Sequence, residues 1–357
     1  MNWRFIRVTE VDEWRSLLTR FEQSDVYFTP EYHQVYELNG DGTAWAFAAW
    51  EEDWILFYPF MLREIPKPPN AAEENVLRDI ESVYGYSGPL ANCRETRFLN
   101  RAWQVYREWC WRQNVVAEFV RFHPILANHS LPGPWDEVTY LRETVAIELN
   151  CSTDELWQRY PSIQRNRIRK AYNTGLICRE VALGDGLFRF IELYLQTMKR
   201  KKADDFYNFP LEYFYNLAAY LGNNLKLFGV FLKSKMIAAA LFLLKRPWMH
   251  YHLGGSDEEH LSKAPNNLLF HTAAEWGRSM GYSLFHLGGG NTNAPDDPLL
   301  RFKSSFSKKR LPFHIGKRVH NQSAYERLCH DWLNRHGLTE RPKYFLLYRY
   351  NSPSRMS

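Results

Sequence analysis

The sequence predicts an α/β protein of two similar units, each a mixed sheet flanked by helices. The chain has 357 residues and is 45% hydrophobic, which is enough for two domains with cores of their own. The order predicted for residues 43–124 is a strand hairpin, a turn rich in aromatic residues and glycine, a helix and a strand, and the same order returns at 225–290. Trp109 and Trp276, each preceded by glutamate, fall in the matching helices. These observations indicate an internal duplication, with a ligand cleft expected between the two units.

Local signals place the elements of the first half. Thr29 is a suitable N-cap and Pro30 occupies the first helical position, while Asn39 and Gly40 end the same helix. A charged turn at 51–53 separates two strands. The first half is expected to contain helices at 11–22, 29–40 and 94–114, a strand pair within 43–65 and a strand at 116–124.

The second half is expected to begin with a helix over 152–175, in which Ser152 or Thr153 is the N-cap and Gly175 the stop. The later patterns predict helices at 186–203 and 264–281, two or three strands within 225–256 and a strand at 282–290. The predicted domains are 1–150 and 151–357, the second of which ends in a C-terminal tail at 317–357.

Composition and charge narrow the class of protein. A net charge of +5 permits an anionic partner without requiring nucleic acid, and the aromatic share of 16% suits either a bulky core or a groove lined with rings. The five cysteines are odd in number and none stand at CxxC spacing, which argues against disulfides and a zinc site. No apolar run reaches the roughly 18 residues of a membrane span, and the N-terminus has no apolar leader. We therefore expect a cytoplasmic protein without a bound metal.

Three glycines at 288–290 follow a predicted strand and raise the question of a phosphate-binding loop. A dinucleotide fingerprint or a Walker loop needs a helix directly after its glycines. Here the glycines are followed by the turn formers and prolines of "NTNAPDDP", so neither design is expected. The glycines are better explained as the end of a strand, where they let the chain turn and leave room for a substrate.

The charged helix segment "QRNRIRK" is a candidate anion site. Arg165 and Arg169 share one face of this helix, and Arg167 lies near Lys170. Such a cluster suits either a solvated face or a clamp for phosphate or carboxylate.

Motifs of serine, zinc and cysteine hydrolases are absent from the sequence. His250 and His252 would share one face of a strand, as metal ligands can, but no acidic or cysteine partner is evident. We interpret both as polar strand residues.

Three segments in the second half resemble the FemAB-like family. The basic helix "QRNRIRKAYNTGL" at 164–176 is similar to its R-x-x-I-R-K-A-x-x-x-G signature. The segment 234–290 resembles its second-domain core, with a Tyr-x-x-Gly-Gly-Ser turn, Pro-Asn before a helix and a strand that ends in Leu-Gly-Gly. "LLRFKSSFSKKRLPFHIG" at 299–316 resembles its Phe-Lys-x-x-Phe segment. In the first half of the chain, the segment "YGYSGPL" and the order of the predicted elements are similar to those of the same family.

The resemblance implies two tandem GNAT-type domains and acyl transfer to an amine. Members that build peptidoglycan cross-bridges take an amino acid from aminoacyl-tRNA, and relatives in polysaccharide and secondary-metabolite pathways are assigned as acetyltransferases. By position, Lys303 would stabilise the oxyanion, which a fixed cation can do, and Tyr251 would lie near the acceptor. The substrate contacts assigned with them are Phe302, Tyr86, Asn266 and, for phosphates, Arg165, Arg167 and Arg169.

One departure from GNAT enzymes bears on the donor. Acetyl-CoA enzymes bind pyrophosphate at a Gly-rich turn before a helix, whereas this chain has Asp257, Glu258 and Glu259 at that point. Aminoacyl-tRNA is therefore the favoured co-substrate, and the protein is expected to contact the acceptor end of the tRNA. Acyl-CoA is the alternative co-substrate. No tightly bound cofactor is expected. The acceptor would be an amino sugar, a peptide or a lipid-linked precursor. A second alternative is a non-catalytic protein that binds a glycan or a nucleotide.

Overall fold

The computed structural model describes residues 1–66, 76–203, 207–294 and 296–350. They form two compact units, each a mixed sheet with helices, so the predicted α/β class is confirmed. Unit 1 comprises Met1–Leu141 and the chain from Phe313 onward, and unit 2 is the continuous segment Arg142–Pro312. None of the helices in these described ranges is long and apolar enough to cross a membrane.

The helices and strands of the first part of the chain are β1 (Asn2–Arg7), α1 (Val11–Leu18), α2 (Pro30–Leu38), β2 (Thr43–Glu51), β3 (Trp54–Glu64), β4 (Arg78–Glu81), β5 (Leu90–Ala91), α3 (Thr96–Arg112), β6 (Val115–Arg121) and β7 (Glu137–Glu148). They are followed by α4 (Thr153–Arg159), α5 (Ser162–Asn173), β8 (Leu176–Val181), α6 (Leu183–Lys201), α7 (Leu211–Leu221), β9 (Leu225–Leu232), β10 (Lys235–Lys245), β11 (Trp248–Ser256), α8 (Pro265–Ser279), β12 (Leu284–Gly288), α9 (Pro298–Ser304), β13 (Arg310–Val319) and α10 (Gln322–His336).

The sheet of unit 1 has the order β1-β2-β3-β4-β6-β13, with β5 paired to β3. β4 and β6 run parallel, and the other pairs are antiparallel. Helix α3 buries Leu99, Trp103 and Tyr106 against Phe47 and Tyr58 of the sheet.

The sheet of unit 2 repeats this plan with the order β7-β12-β11-β10-β9-β8. β11 and β12 are the parallel pair. Helices α5 and α8 bury Ile168, Leu268 and Ala273 in one core with Phe242 and Phe285 of the strands. The elements β1 to β6 of unit 1 and β8 to β12 of unit 2 thus share the order strand, two helices, three strands, helix and strand, with the two-residue β5 as an addition in unit 1. The matching helices α3 and α8 carry Trp109 and Trp276.

The division into units differs from the predicted boundaries of 1–150 and 151–357. The segment 317–357 was expected to be a tail of the second domain, but β13 pairs with β6 of unit 1, from Ile315 opposite Arg121 to Val319 opposite Ala117. Helix α10 then packs on Val116 and Ala117 through residues such as Trp332. Hydrogen bonds and apolar contacts over this long sequence separation therefore place the C-terminal part of the described chain in unit 1.

The predicted helix over 152–175 is two helices, α4 and α5. Pro161 divides them because proline cannot donate the helical hydrogen bond and disfavours a helical residue before it. Ser152 is the N-cap of α4 and forms a capping box with Glu155. The prediction for α2 is confirmed, since Thr29 Oγ1 accepts a hydrogen bond from the backbone N–H of Tyr32.

Candidate active site

Two neighbouring parallel strands of unit 2 pair over only part of their length. β11 pairs with β12 from Trp248 to His250, and β11 then continues to Ser256 while β12 ends at Gly288. The register between β10 and β11 shifts at the same level, between Leu241 and Phe242. Such a bulge bends a strand and re-aims its side chains, and bulges are frequent beside active sites.

The corresponding strands of unit 1 remain linked past their parallel pairing. The backbone N–H of Ser82 donates to the carbonyl of Phe119, at 3.1 Å, and that of Ser87 donates to the carbonyl of Arg121, at 2.8 Å. Within the described residues, the divergence of the central parallel strands therefore distinguishes unit 2 from unit 1.

Lys303 lies in the short helix α9 and is only 5% exposed. Its Nζ donates to the carbonyl oxygen of Gly289, at 2.7 Å, and stands 5.4 Å from the ring centroid of Tyr251 in β11. A buried lysine without an acidic partner is costly, because the charge is removed from water and is not neutralised. The direct contacts of Nζ in the described structure are a carbonyl and an aromatic face, so Lys303 is not a solvated lysine of a basic tail.

Burial is the main reason why the pKa of Lys303 is lowered from its ordinary value of 10.5 to about 7. The positive charges of Lys201 and Arg142 act in the same direction, whereas the carboxylate of Asp297 opposes them. Near neutral pH, the amine is therefore divided between its charged and neutral forms. Burial also raises the pKa of Tyr251 to about 12, so its hydroxyl keeps its proton and can donate a hydrogen bond.

The glycines at 288–290 shape the wall of this site. Gly288 has a φ of 76°, in the left-handed region, and begins the turn. The carbonyl of Gly289 faces Lys303, and that of Gly290 accepts from Arg142 Nη1 at 2.7 Å. A Cβ at Gly290 would overlap the carboxylate of Asp297. The glycines form a close-packed turn at the end of β12, and no helix starts directly after them.

Sequence reasoning missed Asp297, which holds both the turn and helix α9. It is 3% exposed and accepts hydrogen bonds from the backbone N–H groups of Leu300, Asn291 and Thr292 at 2.9–3.1 Å. The signal was present as Asp297-Pro298, an N-cap residue followed by proline at the first helical position.

Phe302 is part of an aromatic wall beside Lys303. Its ring lies 5.4 Å from those of Phe270 and Phe306, and Phe270 lies 4.8 Å from Tyr251. Gly254 leaves room for the Tyr251 hydroxyl, which a Cβ there would approach to 2.5 Å. Phe302 and Tyr251 therefore lie against the same aromatic core, on the side of β11 that carries α8.

The three arginines of helix α5 have different surroundings. Arg165 Nη1 donates to the carbonyl of Tyr160 at 2.9 Å and so satisfies the end of helix α4. Arg169 stacks on Trp157, 5.4 Å from the ring centroid, and donates to Asn166. Arg167 is exposed. Their predicted role in binding phosphate stays a prediction, and Arg165 already has intramolecular partners.

The other predicted site residues lie as follows. Asn266 is half-buried at the start of α8, where its Nδ2 is 3.4 Å from Ser256 Oγ. Tyr86 is a half-buried residue of unit 1, edge-on to Tyr27 and Phe313.

The two strand histidines contact protein groups in unit 2. His252 Nε2 is 2.9 Å from the hydroxyl of Tyr213, and His250 Nδ1 is 3.3 Å from His286 Nδ1. The interpretation of both as polar strand residues stays a prediction.

Comparison with known proteins identifies the class of unit 2. A family model described as an acetyltransferase (GNAT) domain matches residues 162–304, which extend from helix α5 to helix α9 and include Lys303. Unit 2 therefore contains a GNAT-type domain, and the protein is an acyltransferase. Among curated protein sequences, none matches this chain.

Solved structures show that the likeness extends over both units. FemX superposes with a TM-score of 0.66 at 16% identity, covering 92% of this chain and 99% of FemX. L-PGS from Bacillus licheniformis gives a TM-score of 0.52 at 12% identity, with 87% of this chain and 92% of that chain covered. A domain assigned to a lysylphosphatidylglycerol synthetase of Agrobacterium fabrum gives 0.51 at 13%, with 88% and 93% covered. At these identities, the likeness concerns the fold, and it confirms the predicted resemblance to the FemAB-like proteins at that level.

Proposed function

We propose that the protein transfers an aminoacyl group from an ester donor, aminoacyl-tRNA, to an amino group of a sugar- or peptide-containing acceptor. The observation that carries this proposal is the buried Lys303, held between the Gly289 carbonyl and the Tyr251 ring next to the divergence of β11 and β12. The reaction that suits such a cation is one in which negative charge develops on a carbonyl oxygen.

The chemistry follows from the charge of Lys303. The acceptor amine attacks the ester carbonyl, the new C–N bond leaves negative charge on the carbonyl oxygen, and protonated Lys303 stabilises that oxyanion. The C–O bond to the donor then breaks, and the proton lost by the amine is taken up by the leaving hydroxyl. Removing a single oxyanion donor commonly costs about 100- to 1000-fold in rate. Tyr251, as a neutral hydroxyl, would help to orient the acceptor.

Two features of unit 2 favour an aminoacyl-tRNA donor. Asp257 caps the turn that leads to helix α8, and Glu258 and Glu259 in that turn are exposed. Pro265 occupies the first position of α8, so this helix start has one N–H fewer to offer to a pyrophosphate. Acidic side chains near the helix N-terminus would repel the diphosphate of CoA.

Acyl-CoA is the second candidate donor, because the matched domain is described as an acetyltransferase. The acceptor we propose is an amino sugar, a peptide or a lipid-linked precursor, and Phe302 and Asn266 are proposed to contact it. Either donor would place the reaction in the cytoplasm, which is our proposal for its location.

The test is a transfer assay with purified full-length protein. Charged tRNAs and acyl-CoAs are supplied with a panel of amino sugars and precursor peptides, and radiolabel in the acceptor is measured. Lys303→Met should lower turnover at least 100-fold, whereas Lys308→Met, an exposed lysine in the same segment, should not. Turnover should decrease as pH rises above about 7, because the charged form of Lys303 is then lost.

Three outcomes decide between the candidates. Transfer from CoA but not from tRNA would replace the proposed donor. Full turnover of Lys303→Met would refute the role of Lys303. Tight binding of a glycan or nucleotide without transfer from either donor would favour a non-catalytic protein.

A further inference from the structure

Gln164 connects three helices of unit 2 through one atom. The residue stands in the first turn of α5 and is 1% exposed. Its Oε1 accepts hydrogen bonds from Asn267 Nδ2, at 2.9 Å, and from Ser305 Oγ, at 3.0 Å. Asn267 is buried in the first turn of α8, and Ser305 is the C-cap of α9, two residues after Lys303.

We propose that Gln164 is a positioning residue that fixes the C-terminal end of helix α9, and thereby Lys303, within the active site. This inference rests on the proposed function for the role of Lys303 in the reaction. The hydrogen-bond geometry itself is independent of that role.

Helix α9 depends on such external contacts because it has only seven residues. A helix of this length is not stable alone, since nucleation is costly and few hydrogen bonds repay it. Asp297 holds its first turn, as described above. At the other end, the single hydroxyl proton of Ser305 is shared between two acceptors, the Phe302 carbonyl at 2.6 Å and Gln164 Oε1 at 3.0 Å. A shift of this end would separate Lys303 Nζ from the Gly289 carbonyl.

A role in packing alone does not account for a glutamine at this position. The Nε2 of Gln164 is buried and has no hydrogen-bond partner within the described residues. A buried amide N–H without a partner lowers stability, so an apolar side chain of similar size would fill the space at less cost. The two hydrogen bonds to Oε1 are what glutamine supplies and methionine does not.

The variants test whether the partners of Gln164 Oε1, rather than the volume of the side chain, hold helix α9. Gln164→Met removes both hydrogen bonds to Oε1 at similar volume. Gln196→Met, at an exposed glutamine on helix α6, is the matched control.

The first measurement needs no substrate. The reactivity of Lys303 toward trace acetic anhydride is followed against pH in the full-length protein, and the Lys303 peptide is quantified by mass spectrometry. The charged and titratable groups that face Lys303, namely Lys201, Asp297, Arg142 and Tyr251, are retained in every variant. Gln164→Met should let water reach Lys303. The limiting reactivity of its neutral amine at high pH should then increase several-fold, and the midpoint of its titration should move upward by a pH unit or more. Gln196→Met should resemble the wild type.

The second measurement is turnover with the substrate pair found above. Gln164→Met should lower kcat by about 100-fold, the cost of a misplacement of about 1 Å, with a smaller effect on KM. Ser305→Ala should have an effect in the same direction, and adding it to Gln164→Met should have little further effect, because the shared hydrogen bond is already lost.

The outcomes separate the two proposals. An unchanged Lys303 titration in Gln164→Met, or additive effects of Gln164→Met and Ser305→Ala, would overturn the positioning role. A shifted titration together with full turnover of Lys303→Met would support the positioning role and refute the proposed function. If Gln164→Met does not fold, the Lys303 titration of Ser305→Ala is used instead: an upward shift supports the positioning role, and an unchanged titration overturns it.

Discussion

Replacing Lys303 by methionine is expected to change the stability of the protein in a way that depends on pH. Methionine keeps most of the length of the side chain and removes the titrating amine. The pKa of Lys303 is about 7 in the folded protein and 10.5 in its ordinary state, so the folded protein favours the neutral amine by about 5 kcal/mol. This difference is present in the wild type and absent from the variant.

The sign follows from where the proton is bound. Between pH 7 and 10.5, the unfolded chain holds a proton on Lys303 that the folded protein has released, so the free energy of unfolding increases with pH by about 1.4 kcal/mol per pH unit. Below pH 7 both states are charged, and the full cost of burying the charge applies. Lys303→Met should thus be more stable than the wild type by up to about 5 kcal/mol at pH 6, less about 1 kcal/mol for the lost hydrogen bond to Gly289. This advantage should disappear as the pH approaches 10.

The assay is urea unfolding of the wild type, Lys303→Met and Lys308→Met at pH 6, 8 and 9.5. Other groups titrate in this range, but their contributions cancel in the difference between the wild type and each variant. The difference for Lys308→Met should be small and constant, because this side chain is exposed. A constant difference for Lys303→Met across the pH range would show that the charge on Lys303 is not suppressed by burial.

Three further predictions concern stability. Asp297→Ala should cost about 1 kcal/mol in urea unfolding by loss of the α9 N-cap, and the same lysine-labelling titration should show the pKa of Lys303 falling further, because a stabilising negative charge is gone. Gly255→Ala should cost roughly 1–3 kcal/mol, since the new Cβ would overlap the backbone of α6, whereas Gly184→Ala in the same helix has open space and should be neutral or slightly stabilising. Glu118→Gln should lower the stability of unit 1 by roughly 1–3 kcal/mol, because this fully buried side chain accepts hydrogen bonds from two tyrosine hydroxyls and contacts His320 Nε2; an unchanged thermal midpoint would contradict this prediction.

The ends of helices that depend on local capping residues and prolines could be predicted from the sequence. Thr29 and Pro30 mark the start of α2 because capping and the fixed proline φ act within a few residues. The break at Pro161 was visible by the same rules and was missed, since the N-cap at Ser152 or Thr153 and the stop at Gly175 were taken as the two ends of one helix.

The non-local features could not be predicted in this way. The pairing of β13 with β6 joins residues far apart in sequence, and strand periodicity carries no information about the partner. The role of Lys303 was suggested by family resemblance, but its burial depends on the turn at 288–290 and on Asp297, which no local pattern brings together. Gln164 belongs to the basic segment at 164–170, and only the packed helices show that its oxygen is shared between two donors.

The division of unit 1 between the two ends of the chain has a consequence for synthesis on the ribosome. Unit 2 is continuous and can fold as soon as its last residue has emerged, whereas unit 1 lacks β13 until Val319 has been made. At about 5–20 residues per second, the interval after Leu141 is roughly 10–35 s, during which β6 has an open edge and Val116 and Ala117 are uncovered. The later-encoded unit is thus free to mature first, and the nascent N-terminal sheet is the part of the molecule that a chaperone would have reason to protect.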